Sequence, residues 1–199
     1  IALTPSFGSI SVGGGLANSG IAQIDNSLFS YNVAGTTGSA MGDTGGGEGG
    51  AIFSSGSLMI KATSIISNNA PYPSVSMQGG GGGVASVNAN LDISESYFGF
   101  NTSARGSAII QHGGVGIISN SIFFANLSDT SYASPNNYGA IVVPNGAITL
   151  TIITLTPNQA DIYGVLGPTT GNAYINNSLV AGNCDAPLNS GSLLGWAGS

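Results

Sequence analysis

Charge is what this sequence has least of. Asp, Glu, Lys and Arg make up only 5% of its 199 residues, against about 25% in an ordinary soluble domain. The two bases, Lys61 and Arg105, are too few to neutralise a phosphate backbone, which excludes a nucleic-acid partner. The same shortage argues against an anionic membrane surface. No run of about 18 apolar residues occurs, so no transmembrane segment is expected. One cysteine, Cys184, excludes an intrachain disulfide and reads either as a small buried hydrophobe or as an intermolecular disulfide partner. One histidine, His112, has neither a second His nor a nearby Cys, so it offers no metal ligand set and no triad. It is expected as a solvent-facing or capped loop residue. The chain starts at Ile1 without Met or a signal peptide, which suits a processed mature chain or a fragment.

Glycine is abundant instead, 33 of 199 residues, and mean hydropathy is positive at +0.30, which disfavours disorder. The glycines recur in a pattern. GGGLANSGIAQIDNSLFSYN (13–32), GGAIFSSGSLMIKATSIISNN (49–69) and GGGVASVNANLDISESYFGFN (81–101) align with three further segments. These are GSAIIQHGGVGIISNSIFFAN (106–126), YGAIVVPNGAITLTIITLTPN (138–158) and YGVLGPTTGNAYINNSLVAGN (163–183). Five are 21 residues long and one is 20. Each has an aliphatic fourth residue: Leu16, Ile52, Val84, Ile109, Ile141 or Leu166. Each ends on an apolar residue, two spacers and Asn: Phe29/Asn32, Ile66/Asn69, Phe98/Asn101, Phe123/Asn126, Leu155/Asn158 and Val180/Asn183. Variable spacers rich in Gly, Pro, Ser and Asn separate them and read as loops at one corner.

Within each unit the apolar residues alternate, as in Leu58/Ile60, Leu91/Ile93 and Ile148/Leu150. Period two means short strands with one inward face. Three short strands per 20–25 residues with Gly and Asn at the corners describe one rung of a right-handed parallel β-helix. The expected domain is 1–199, with six full rungs and partial rungs at 1–12 and 184–199. Glycines allow positive-φ corners, and Asn32, Asn69, Asn101, Asn126, Asn158 and Asn183 are expected to form a ladder of side-chain amides. At ~4.8 Å per rung the stack would be roughly 30 Å long.

The GGAI motif (49–52) and the FxxN motifs FSYN (29–32), FGFN (98–101) and FFAN (123–126) resemble the repeats of chlamydial polymorphic outer-membrane proteins and of other bacterial secreted β-helix proteins. The tail NNSLVAGNCDAP (176–187) is similar to the last rung of large bacterial surface proteins. The resemblance spans 13 to about 187 and implies an extracellular or cell-surface β-helix, with adhesive or structural roles. The chain departs from it at Tyr138 and Tyr163, where the first Gly is lost, and at Ile66, Leu155 and Val180, which replace the aromatic.

No residue is assigned a catalytic, cofactor-binding or metal-binding role. Asp25, Lys61 and either Asp92 or Glu95 fall at equivalent strand positions and read as a surface charge stripe. GDTGGGEGG (42–50) carries Asp43 and Glu48 only once, unlike a calcium-binding repeat, and reads as a corner loop. TLTIITLT (149–156) lacks Thr ranks on the neighbouring units and reads as ordinary strand packing. The seven tyrosines fall mostly at spacers and rung starts, as contact anchors or as fillers beneath loops. Low charge and apolar ends point to a non-enzymatic, self-assembling subunit of a fibre, sheath or surface layer, partnered by other copies of itself. The alternatives are a passenger fragment of a surface adhesin with a glycan or host-surface ligand, and a polysaccharide-binding or -cleaving β-helix.

Overall fold

A computed structural model of the chain describes residues 11–35, 47–71, 80–128, 139–158, 162–163, 171–181 and 193–197, the segments 162–163 and 193–197 by their backbone. Leu166, Asn183, Cys184, Asp43, Asp129, Asp161, Asp185 and most of the end segments 1–12 and 184–199 lie outside the described residues.

Alternation sets the local structure. In Ser57–Lys61 the side chains of Leu58 and Ile60 are buried while Ser57, Met59 and Lys61 are exposed. Leu91–Ser94 and Asn172–Asn176 repeat this pattern. Among the described residues there is no helix, and every strand pair is parallel. No helix there is long and apolar enough to cross a membrane.

Chain order and sheet order differ. Leu16–Asn18, Ile21–Asp25 and Leu28–Ser30 are consecutive, yet each pairs with its counterpart in the next repeat. Leu16 lies opposite Ile52, Ile21 opposite Ser57 and Leu28 opposite Ser64. The long crossover that parallel pairing demands is therefore made of other strands. An 11-stranded sheet holds the first two strands of each repeat, which fuse into one in Ile109–Ser119 and Ile141–Thr151. A 6-stranded sheet stacks Leu28–Ser30, Ser64–Ile66, Tyr97–Gly99, Ile122–Phe124, Thr154–Leu155 and Leu179–Val180 in chain order. Asn69–Ala70, Thr102–Ser103 and Leu127–Ser128 form a 3-stranded sheet.

Inward side chains line up through the register. Ile52, Val84, Ile109 and Ile141 form one buried column, and Ile60, Ile93, Ile118 and Leu150 another. A third runs Phe29, Ile65, Phe98, Phe123, Leu155 and Val180, in which the Phe98 and Phe123 rings stack at 4.8 Å. These columns meet in one apolar cluster, so the core is continuous along the stack. Burying a Leu, Ile or Phe contributes about 1.5–3 kcal/mol. Gly116 interrupts the Leu91 column because a Cβ there would lie 2.9 Å from Ile148 Cγ1.

The corners are left-handed. Gly13, Gly49, Gly81 and Gly106 open their repeats at φ between +59° and +69°, a conformation that favours glycine. At the corner before the third strand, Asn26, Ala62, Glu95, Asn120, Ile152 and Asn177 all have φ between 46° and 54°.

Three expectations are corrected. Phe29 pairs with Ile65, not Ile66, so the second repeat closes on Ile65/Asn68 rather than Ile66/Asn69. A one-residue slip reverses the facing of every side chain in a strand, and it is Ile65 that is fully buried. In the sixth repeat Ile162, not Leu166, lies opposite Ile141, while Ala173 lies opposite Ile148. That repeat thus carries a longer connection between its first two strands. His112, expected in a loop, sits inside the Ile109–Ser119 strand and is partly buried.

Candidate functional site

The most ordered polar feature is the asparagine ladder. Asn32 Nδ2 donates to Asn68 Oδ1 (2.9 Å), Asn68 Nδ2 to Asn101 Oδ1 (3.0 Å), Asn101 Nδ2 to Asn126 Oδ1 (2.9 Å) and Asn126 Nδ2 to Asn158 Oδ1 (3.0 Å). Each Oδ1 also accepts the main-chain N–H of the preceding ladder residue. The Nδ2 groups of Asn68, Asn101 and Asn126 donate a second time to a carbonyl one repeat back, those of Phe29, Ile65 and Phe98, and Asn158 Nδ2 donates to the Phe123 carbonyl in the same way. Asn68, Asn101, Asn126 and Asn158 are buried, and in the first three both amide hydrogens and the main-chain N–H are hydrogen-bonded, as burial of polar groups requires. Asn69, the residue expected here, lies one position on, in the 3-stranded sheet.

A second ladder escaped the sequence reading. Ser27, Thr63 and Ser96 donate their main-chain N–H groups to the hydroxyls of Thr63, Ser96 and Ser121, and Ile153 does so to Ser178. Each of these hydroxyls, and that of Ser27, donates in turn across the corner to the carbonyl two residues earlier, the last of the preceding strand. Its sequence signal is a Ser or Thr two residues before Phe29, Ile65, Phe98, Phe123 and Val180, missing only before Leu155, where Ile153 stands. Both ladders are stacking devices, and neither places a nucleophile or base in a cleft.

Ionisable groups are few and mostly dispersed. Lys61 faces Asp25 in register and its Nζ is 3.7 Å from Glu95, both side chains being 55% exposed. Such a pair contributes little. Asp92 lies between Met59 and Ile117 instead. The exception is a trio that the sequence keeps far apart. Burial raises the pKa of Glu48, with Arg105 opposing, and burial together with the Arg105 charge lowers His112 to about 4. Ala85, Ile110 and Val142 form a small second apolar cluster with Phe53 on the first strands, and His112 follows Ile110 by two residues in the same strand. Among the described residues no three His, Cys, Asp or Glu side chains gather where a metal ion would fit.

Outward positions are unusually apolar. On the second strands Ile21 (89% exposed), Met59, Val115 and Ile117 line an open groove of about 430 Å³ with Asn90 and Asp92. Leu28, Ile122 and Leu179 are exposed on the 6-stranded sheet. Thr149 lies between Ile117 and Tyr174, so the Thr-rich strand has no Thr rank beside it. Tyr31 projects into solvent, whereas the Tyr97 ring covers Gly99. Asn101 and Asn126, each the first residue of an Asn-x-Ser/Thr sequence (NTS and NLS), are buried in the ladder.

Comparison with protein-family models, with curated proteins and with solved structures gives no match.

Proposed function

We propose that the chain is a right-handed parallel β-helix of about six turns that works as a non-enzymatic, self-assembling structural subunit outside the cell. Support for the β-helix is that, among the described residues, consecutive strands do not pair with one another but with their counterparts one repeat on, in parallel. The repeats' resemblance to bacterial secreted β-helix proteins supports a fibre, sheath or surface layer as the setting.

The observation that carries self-assembly is the surface. Ile21, Leu28, Val115, Ile117, Ile122 and Leu179 are all exposed in a chain with 5% charged residues. Apolar patches of this kind mark contact surfaces, and a solvated monomer normally carries far more charge. Electron microscopy with light scattering on unconcentrated protein tests the reading. Ordered filaments or sheets are the expected result; a uniform 19.6 kDa monomer overturns it.

The groove over Ile21, Met59, Val115 and Ile117 favours one second reading, an adhesin passenger fragment that contacts a host surface or glycan there. In that case the chain stays monomeric and binds cells, and Ile117→Asp abolishes the binding.

A further inference from the structure

A third column of polar side chains stands at the corner between the first and second strands. Asn18, Ser54, Ser86 and Gln111 lie opposite one another there, each two residues after the aliphatic that opens its strand and so on the same inward side. In the first two repeats this column is satisfied. Asn18 Nδ2 donates to Ser54 Oγ at 2.9 Å, and the Ser54 hydroxyl donates to the Gly56 carbonyl at 2.6 Å. In the next two it is not. Ser86 and Gln111 are fully buried, and among the described residues neither Ser86 Oγ nor Gln111 Oε1 has a hydrogen-bond partner. Buried polar oxygens are rarely left so, and these two belong to residues paired in register.

The cause is a change in corner length. Between the paired positions Ser54 and Leu58 the second repeat has residues 55–57, whereas between Ser86 and Leu91 the third has 87–90. The first repeat shares the short corner and the fourth the long one, 112–115. Gln111 spans the long corner with its own side chain. Its Nε2 donates to the Ala89 and Gly113 carbonyls, which fixes the nitrogen at that end of the amide and turns Oε1 the other way. Oε1 faces Gly116, where a Cβ would lie 3.5 Å from it. The third repeat fills an equally long corner with much less: from 86 to 90 only Ser86 and Ala89 are buried, and both are small.

The geometry points to a binding site for one internal water molecule between Ser86 Oγ and Gln111 Oε1. The water donates to Oε1, which can only accept, and accepts the hydroxyl hydrogen of Ser86. Two polar partners, and space left by small side chains, are what a buried water requires. An apolar side chain at position 86 would fill the same space but strand the Gln111 oxygen. The water therefore sits where the cross-section of the stack changes from short-cornered to long-cornered repeats. It belongs to the fold whether the chain assembles or stays monomeric.

The test is made on the whole chain in two ways. A high-resolution crystal structure should show a water within hydrogen-bond distance of both Ser86 Oγ and Gln111 Oε1. In solution, relaxation dispersion of the water oxygen counts long-lived internal waters without interference from hydroxyl protons. Ser86→Val fills the space and should lower that count by one relative to wild type. Where Ser86→Val does not fold, Ser86→Ala decides: it removes one of the two partners, and the residence time of one internal water should fall roughly tenfold. A Ser86 hydroxyl bonded straight to Gln111 Oε1 overturns the site, as does a dry space between them. A count that Ser86→Val leaves unchanged, or a residence time that Ser86→Ala leaves unchanged, overturns it too.

Discussion

Asn101 Nδ2 donates to Asn126 Oδ1 at 2.9 Å while the Asn101 main-chain N–H donates to the same oxygen at 3.1 Å. One side-chain oxygen thus satisfies two donors from the repeat before it, in a site with no solvent access. Inside the protein, such a chain of bonds is strong when complete and costly when broken.

Asn101→Ala removes the acceptor of both Asn68 donors and a donor to the Ile65 carbonyl. With about 1–3 kcal/mol per stranded group, destabilisation of roughly 3 kcal/mol or more is expected in urea unfolding. Asn69→Ala, one position from the ladder, should cost below about 0.5 kcal/mol. Equal costs at Asn69 and Asn101 would contradict the register.

The hydroxyl ladder is tested by Thr63→Val, which keeps shape and deletes only the oxygen. The Ser27 N–H then loses its acceptor. A loss of about 1–2 kcal/mol is expected, with faster hydrogen exchange at the Ser27 amide. An exchange rate unchanged at Ser27 would show that this bond does not form in solution.

Ile152 holds φ at 54°, where a β-branched residue is strained, while its side chain is 55% exposed and supports little packing. Asn stands at the equivalent corner in Asn26, Asn120 and Asn177. Ile152→Asn should therefore stabilise the fold by about 1 kcal/mol, raising the unfolding midpoint. A lowered midpoint would mean that the exposed Ile152 side chain packs against something other than solvent.

Acid should weaken the fold through His112. Its folded pKa is lowered from 6.5 to about 4, so between those values the unfolded chain binds more protons. Its contribution is complete above pH ~6.5, declines as pH falls toward 4 and is gone below, a change of up to about 3 kcal/mol. Glu48 acts in reverse: its raised pKa favours the fold at low pH, below the usual carboxylate range, and that contribution is lost as pH rises. His112→Gln should flatten the decline between pH 6.5 and 4 in thermal melts. A slope that survives the substitution would place the acid sensitivity elsewhere.

Much of the architecture was legible along the chain. Strand content followed from alternation at Leu58/Ile60 and Leu91/Ile93, where a period of two leaves no helical face. The aliphatic fourth residues Leu16, Ile52, Val84, Ile109 and Ile141 do stand opposite one another. The second repeat was misread because Asn68 and Asn69 are adjacent and Ile65 and Ile66 are both apolar. Composition cannot separate two registers that differ by a single residue, although their side chains point to opposite faces. The hydroxyl ladder was present as Ser27, Thr63, Ser96, Ser121 and Ser178, but serine is too common here to stand out.

What the sequence determined by itself was the period: short strands, left-handed corners and a repeating apolar face follow from local chemistry and spacing. Only the tertiary structure decided which asparagine turns inward, which hydroxyl meets which amide, and that Glu48, Arg105 and His112 share one neighbourhood. The physical reason is that these depend on how neighbouring repeats stack. A hydrogen bond between residues 25 to 36 positions apart is fixed by the pairing of whole strands, and no single repeat contains both of its ends.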